Sequence, residues 1–171
     1  MGERLRDRVS LDVIPRLARS VVRARDLDEP SPEELDVTYQ LALRILYRLL
    51  FVAYAEDRDL LPLHESTVYR EHSLKRIAQR LGEVDSKGIE LGSEPFYWNE
   101  VRAIWRAVSR GNAEWSVPGY NGSLFASDKA TSALGARLEE ISLSDREFVP
   151  ALSALLLDET EEGVRGPVDF R

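Results

Sequence analysis

The sequence predicts an all-α fold: an irregular bundle of about five or six helices around a central apolar helix over about 32–57, with a packed, turn-rich loop over about 112–128. Two observations carry that expectation. Apolar residues recur at spacings of three and four along most of the chain, the period of a helix face. The one aromatic, turn-rich stretch is not flanked by alternating strands, so a hairpin is not favoured there.

The first helical stretch runs from Leu5 to about Arg25, with Leu5, Val9, Ile14, Leu17 and Val21 on one face. Pro15 removes a backbone donor and should kink or split it. Asp28-Glu29-Pro30 marks the break that follows.

The central helix has the clearest start. Ser31 is placed to cap, Pro32 occupies the first helical position, and Glu34 completes a capping box. Leu35, Tyr39, Ala42, Leu46, Leu49 and Ala53 form one apolar row. Leu43, Tyr47, Leu50 and Tyr54 form a second row, and Leu41, Ile45 and Val52 a third. Only Gln40, Arg44 and Arg48 make a thin polar stripe, so this helix is expected to be buried among others. It should end near Glu56-Asp57-Arg58, before Pro62.

Ser73–Leu81 reads as a shorter helix stopped by Gly82, followed by a loop over Glu83–Glu94. Tyr97–Ser109 is helical again, with Val101, Ile104, Trp105 and Val108 inward and Gly111 at its end. Asn112–Asp128 holds Trp115, Pro118-Gly119, Tyr120, Asn121-Gly122 and Phe125, a loop packed onto the body. Ser132–Glu140 forms a short helix, and Ser144 with Glu147 reads as a second capping box opening the last one. Residues 158–171 look like a loose acidic tail. The 171 residues fit one domain.

Composition excludes several classes. There are no cysteines, which removes disulfides and cysteine-based zinc sites and points to a reducing cytoplasm. His64 and His72 alone are too few for a zinc constellation. The N-terminal residues are charged and lack the apolar run of a signal peptide. The net charge of −7 argues against a general nucleic-acid binder, although a local basic stripe could still touch DNA.

Catalytic motifs are not found. Neither GxGxxG nor GxxxxGK[ST] occurs, nor a GxSxG elbow. Arg58 and His64 have the spacing of the Arg-x5-His pair of HEPN-type ribonucleases, but Leu60, Leu61, Pro62 and Leu63 between them break the helix that motif needs. Arg44 and Arg48, one turn apart, could face DNA phosphate or pair with acids on a neighbouring helix; the acidic composition favours pairing. Trp98, Trp105 and Trp115 could stack on bases, but Trp105 shares the apolar face of its helix.

Two stretches carry a family resemblance: 46–62, reading LYRLLFVAYAEDRDLLP, and 118–125, reading PGYNGSLF. In this order they resemble the helical region of large restriction–modification enzymes, the type IIG and MmeI-like proteins and related phage-defence methylases. The resemblance implies a non-catalytic helical connector whose parent is an adenine-N6 DNA methyltransferase using S-adenosylmethionine, in some members joined to a nuclease. This chain has no Asn-Pro-Pro-Tyr and no glycine-rich cofactor loop, so no catalytic, cofactor or metal residue is assigned in it. The ending from Gly166 to Arg171 resembles the point just before a methyltransferase domain. The residues expected to touch DNA or a neighbouring domain are Arg44, Arg48, Glu56, Asp57, Arg58, Tyr120, Asn121, Gly122 and Phe125. The partners implied are the catalytic domains of the same polypeptide, and DNA through them. The alternative is a stand-alone acidic α-helical adaptor or antirestriction protein.

Overall fold

The computed structural model describes residues 2–159, 163 and 165–171. The chain is mostly helical. In order come α1 (Gly2–Arg8), a π-helical turn (Val9–Val13), α2 (Ile14–Ala24), α3 (Pro32–Asp57), α4 (Thr67–His72), α5 (Leu74–Lys87) and α6 (Phe96–Arg110). A 3-10 turn (Ser123–Phe125), α7 (Ala133–Glu140), α8 (Asp145–Leu156), β1 (Leu157–Glu159) and β2 (Arg165–Pro167) complete it. No described helix is long and apolar enough to cross a membrane.

Pro15 does not break the first helical stretch. The π-helical turn precedes it, with the Ile14 amide donating back to Val9 O. The wider turn accommodates the carbonyls that a proline ring would otherwise strike.

α3 starts as its capping box dictates. Glu34 N donates to Ser31 Oγ at 3.2 Å, and Ser31 N donates to Glu34 Oε2 at 2.8 Å. Leu41, Ala42, Ile45, Leu49 and Val52 are buried along it. Burial is not all round, however. Leu35, Tyr39, Tyr47 and Tyr54 are each about half exposed, so one side of this apolar helix faces solvent.

Gly82 does not stop α5, which continues to Lys87 and ends on Gly88 in the left-handed conformation (φ 59°). A Cβ on Gly82 would sit 3.2 Å from the Arg165 carbonyl oxygen. Glycine is there so that β2 can lie close against the helix, a reason local sequence does not show.

The second expected capping box does not form. Ser144 makes no side-chain cap bond. Asp145 instead accepts from Tyr97 N at 3.0 Å, while the amides of Asp145 and Arg146 donate to the carbonyls of Glu94 and Gly92. Glu147 is drawn to Arg23 at 2.9 Å. The start of α8 is thus tied to the segment entering α6.

The stretch expected as a loose acidic tail contains an antiparallel pair, Leu157 opposite Pro167 and Glu159 opposite Arg165. Val168 is buried, and its amide donates to Leu156 O at 2.8 Å. Residues 160–162 and 164 of that stretch lie outside the described residues.

Candidate functional site

The two sequence stretches that carry the resemblance meet at one place. Arg48 projects from α3 towards the loop over 112–128 and is only 1% exposed. Its Nε donates to Leu124 O at 2.8 Å and its Nη2 to Ala126 O at 3.2 Å. The guanidinium lies 5.1 Å from the Trp105 ring centre and 5.7 Å from that of Phe125. Burial, then the charge of Arg44, lowers its pKa to about 10, against an opposing pull from Glu139. It stays cationic at neutral pH but has no surface to offer a phosphate.

Arg44, one turn earlier, is half-buried and donates to Ser123 O at 3.0 Å and Leu124 O at 3.2 Å. Among the described contacts, the pair takes no acid as a partner. It satisfies successive carbonyls of an irregular loop, groups that would be costly to bury unbonded.

Aromatic contacts seal the same junction. Phe51 meets Phe125 edge-on at 5.3 Å and Tyr120 at 6.2 Å. Phe125 is buried, and Tyr120, partly exposed, donates its hydroxyl to Leu60 O. Asn121 and Gly122 are exposed. The positive φ of this turn falls on Asn121 (45°), while Gly122 is extended at −84°. The close approach lies earlier, where a Cβ on Gly119 would stand 3.0 Å from the Arg110 carbonyl carbon.

The end of α3 is a second junction. Glu56 is buried, and it accepts from Tyr69 Oη at 2.7 Å, Leu74 N at 2.7 Å and Lys75 N at 2.9 Å. It thereby holds the first amides of α5, where a helix leaves donors unpaired. Burial pushes its carboxyl pKa up, against the lowering effect of those three bonds and of the Lys75 charge. Tyr69 in turn meets Trp115 edge-on at 6.3 Å, and His72 stacks on Trp115 at 4.4 Å, so the loop over 112–128 is anchored here too. Asp57 takes Lys75 Nζ at 2.7 Å and the Phe170 amide at 2.6 Å, tying in the C-terminal segment.

Arg58 is exposed, its guanidinium 5.4 Å from the Tyr54 ring centre. His64 is exposed and lies 3.5 Å from Asp59. Among the expected contact residues, Arg48, Glu56 and Phe125 are buried, and Arg44 and Asp57 are engaged within the chain. Arg58, Tyr120, Asn121 and Gly122 keep accessible surface. Sequence reading missed Tyr69, Trp115 and Lys75 as partners of the junction, because nothing local links them to Glu56 and Asp57. Among the described residues, no group of three or more His, Asp or Glu is placed to hold a metal ion. No family model, curated protein or solved structure matches the chain.

Proposed function

We propose that the chain is a non-catalytic helical connector of a restriction–modification enzyme whose parent polypeptide carries adenine-N6 DNA methyltransferase activity and binds S-adenosylmethionine. On this reading the protein is an irregular bundle around α3, works in the cytoplasm, and reaches DNA only through its neighbouring domains. The observation that supports it is the interlock of the two resembling stretches. Arg48, Phe51 and Leu60 on one side take Leu124, Phe125 and Tyr120 on the other. Two segments far apart in sequence are packed together as one unit, which suits a spacer holding catalytic domains at a fixed distance. Tyr120, Asn121 and Gly122 are accessible in that unit and form its docking edge.

The test uses the isolated chain and the intact polypeptide side by side. With S-adenosylmethionine and adenine-containing DNA, the intact polypeptide transfers methyl groups and the isolated chain transfers none. Methyl transfer by the isolated chain would overturn the proposal. So would RNA cleavage in EDTA that His64→Ala abolishes, the behaviour of a HEPN-type ribonuclease.

A further inference from the structure

The exposed face of α3 has a pattern of its own. Asp36, Gln40, Leu43, Tyr47, Phe51, Tyr54 and Arg58 follow one another at steps of 4, 3, 4, 4, 3 and 4 residues. That spacing is nearly one helix turn per step, so they share one face. Tyr47 is 53% exposed and Tyr54 46%; Asp36, Gln40 and Arg58 are exposed, and Leu43 and Phe51 are half-buried. The steps read the same in both directions from Tyr47, and the chemistry is complementary about it. Asp36 stands 11 residues before Tyr47 and Arg58 11 after. Gln40 mirrors Tyr54, an amide against a phenol, and Leu43 mirrors Phe51, an aliphatic side chain against an aromatic ring.

We propose that this face is the interface of an antiparallel homodimer, in which α3 of a second copy crosses the first at Tyr47. Asp36 of each copy then meets Arg58 of the other. Within its own chain, Arg58 touches only the Tyr54 ring among the described contacts, and Asp36 accepts only the Gln40 amide. Both are free to take a charged partner. Asp57, the acid beside Arg58, is already taken by Lys75. A twofold axis requires each residue to face its mirror, and this stripe is self-complementary in that sense. A parallel arrangement would instead set Asp36 against Asp36 and Arg58 against Arg58. The pairing stands independently of the connector reading.

The chain has no cysteine, so single cysteines report cleanly. The experiment combines sedimentation velocity over a range of concentrations with a thiol crosslinker matched to a helix–helix distance of about 8–10 Å. The full chain should self-associate to a dimer. Tyr47→Cys should crosslink by itself. Gln40→Cys and Tyr54→Cys should each fail alone, since either pair of identical sites lies about 21 Å apart along the helix axis, and should crosslink when mixed. Arg58→Glu should weaken the dimer by about three- to tenfold through its two symmetric contacts, and Asp36→Arg added to it should restore association. These positions are on the surface, and unchanged circular dichroism confirms folding. A monomer at every concentration would overturn the proposal. Crosslinking of Gln40→Cys with itself would do the same, as would a charge swap that fails to restore the dimer.

Discussion

Replacing Glu56 with alanine removes the acceptor that joins α3 to α4 and α5. Three donors lose their partner, Tyr69 Oη at 2.7 Å, Leu74 N at 2.7 Å and Lys75 N at 2.9 Å. Hydrogen bonds to a charged group contribute about 1.5–3 kcal/mol each, so the gross loss is about 4.5–9 kcal/mol. Removing the carboxylate also relieves its own desolvation, which costs several kcal/mol for a buried ion. The net destabilisation should therefore be about 3 kcal/mol, with the Tyr69 hydroxyl left without an acceptor in a buried site. Urea unfolding should show a midpoint lower by about 1–2 M at unchanged slope. Hydrogen exchange should show the Leu74 and Lys75 amides losing protection before the amides of α3. A midpoint shift below about 0.5 M would refute the assignment of Glu56 as the clamp.

Burial holds the Glu56 carboxyl above its ordinary value of 4.5, so the native state binds that proton more tightly than the unfolded chain does. The contribution is complete below the unfolded value and is lost as pH rises through the raised native one. The stability gap between the wild type and Glu56→Gln should then narrow as pH rises from acid towards neutral in urea titrations; a widening gap would reverse the sign. Arg48→Met leaves the Ala126 carbonyl without its donor and the Leu124 carbonyl with Arg44 alone, and should cost about 2 kcal/mol in thermal unfolding. The freed loop should also be cut faster by trypsin after Lys129, and an unchanged cleavage rate would count against the clamp. Gly135→Ala should cost about 2 kcal/mol or more, because the new Cβ would stand 1.8 Å from the Ala126 carbonyl oxygen and α7 or the loop must move. A melting temperature equal to the wild type would contradict that contact.

The sequence announces features that are settled within one or two helical turns. The start of α3 is legible because Ser31, Pro32 and Glu34 satisfy each other locally, and its end because Pro62 follows. The end of α6 and the start of α7 are legible from Gly111 and Ser132 for the same reason. Features set by distant partners are not. Gly82 resembles a stop signal until Arg165 is seen against it, and Ser144 resembles a cap until Asp145 is recruited by Tyr97. The stripe Gln40, Arg44, Arg48 looks uniform at steps of four. Each such step overshoots a full turn by about 40°, so the stripe rotates from an exposed glutamine to a buried arginine. The same drift leaves Tyr47 and Tyr54 outward on a helix whose composition suggested burial all round. At the candidate site, the loop's aromatic anchoring was legible from Trp115 and Phe125. The identity of their partners, Tyr69, His72 and Arg48, depends on tertiary packing.

The most direct measurement is the nucleotide sequence of the source gene on both sides of these codons. The connector account predicts an open frame that continues past codon 171 into a glycine-rich cofactor loop and then an Asn-Pro-Pro-Tyr motif. A stop codon at that point, with no methyltransferase sequence joined in frame on either side, would contradict it and leave the stand-alone acidic adaptor as the better account.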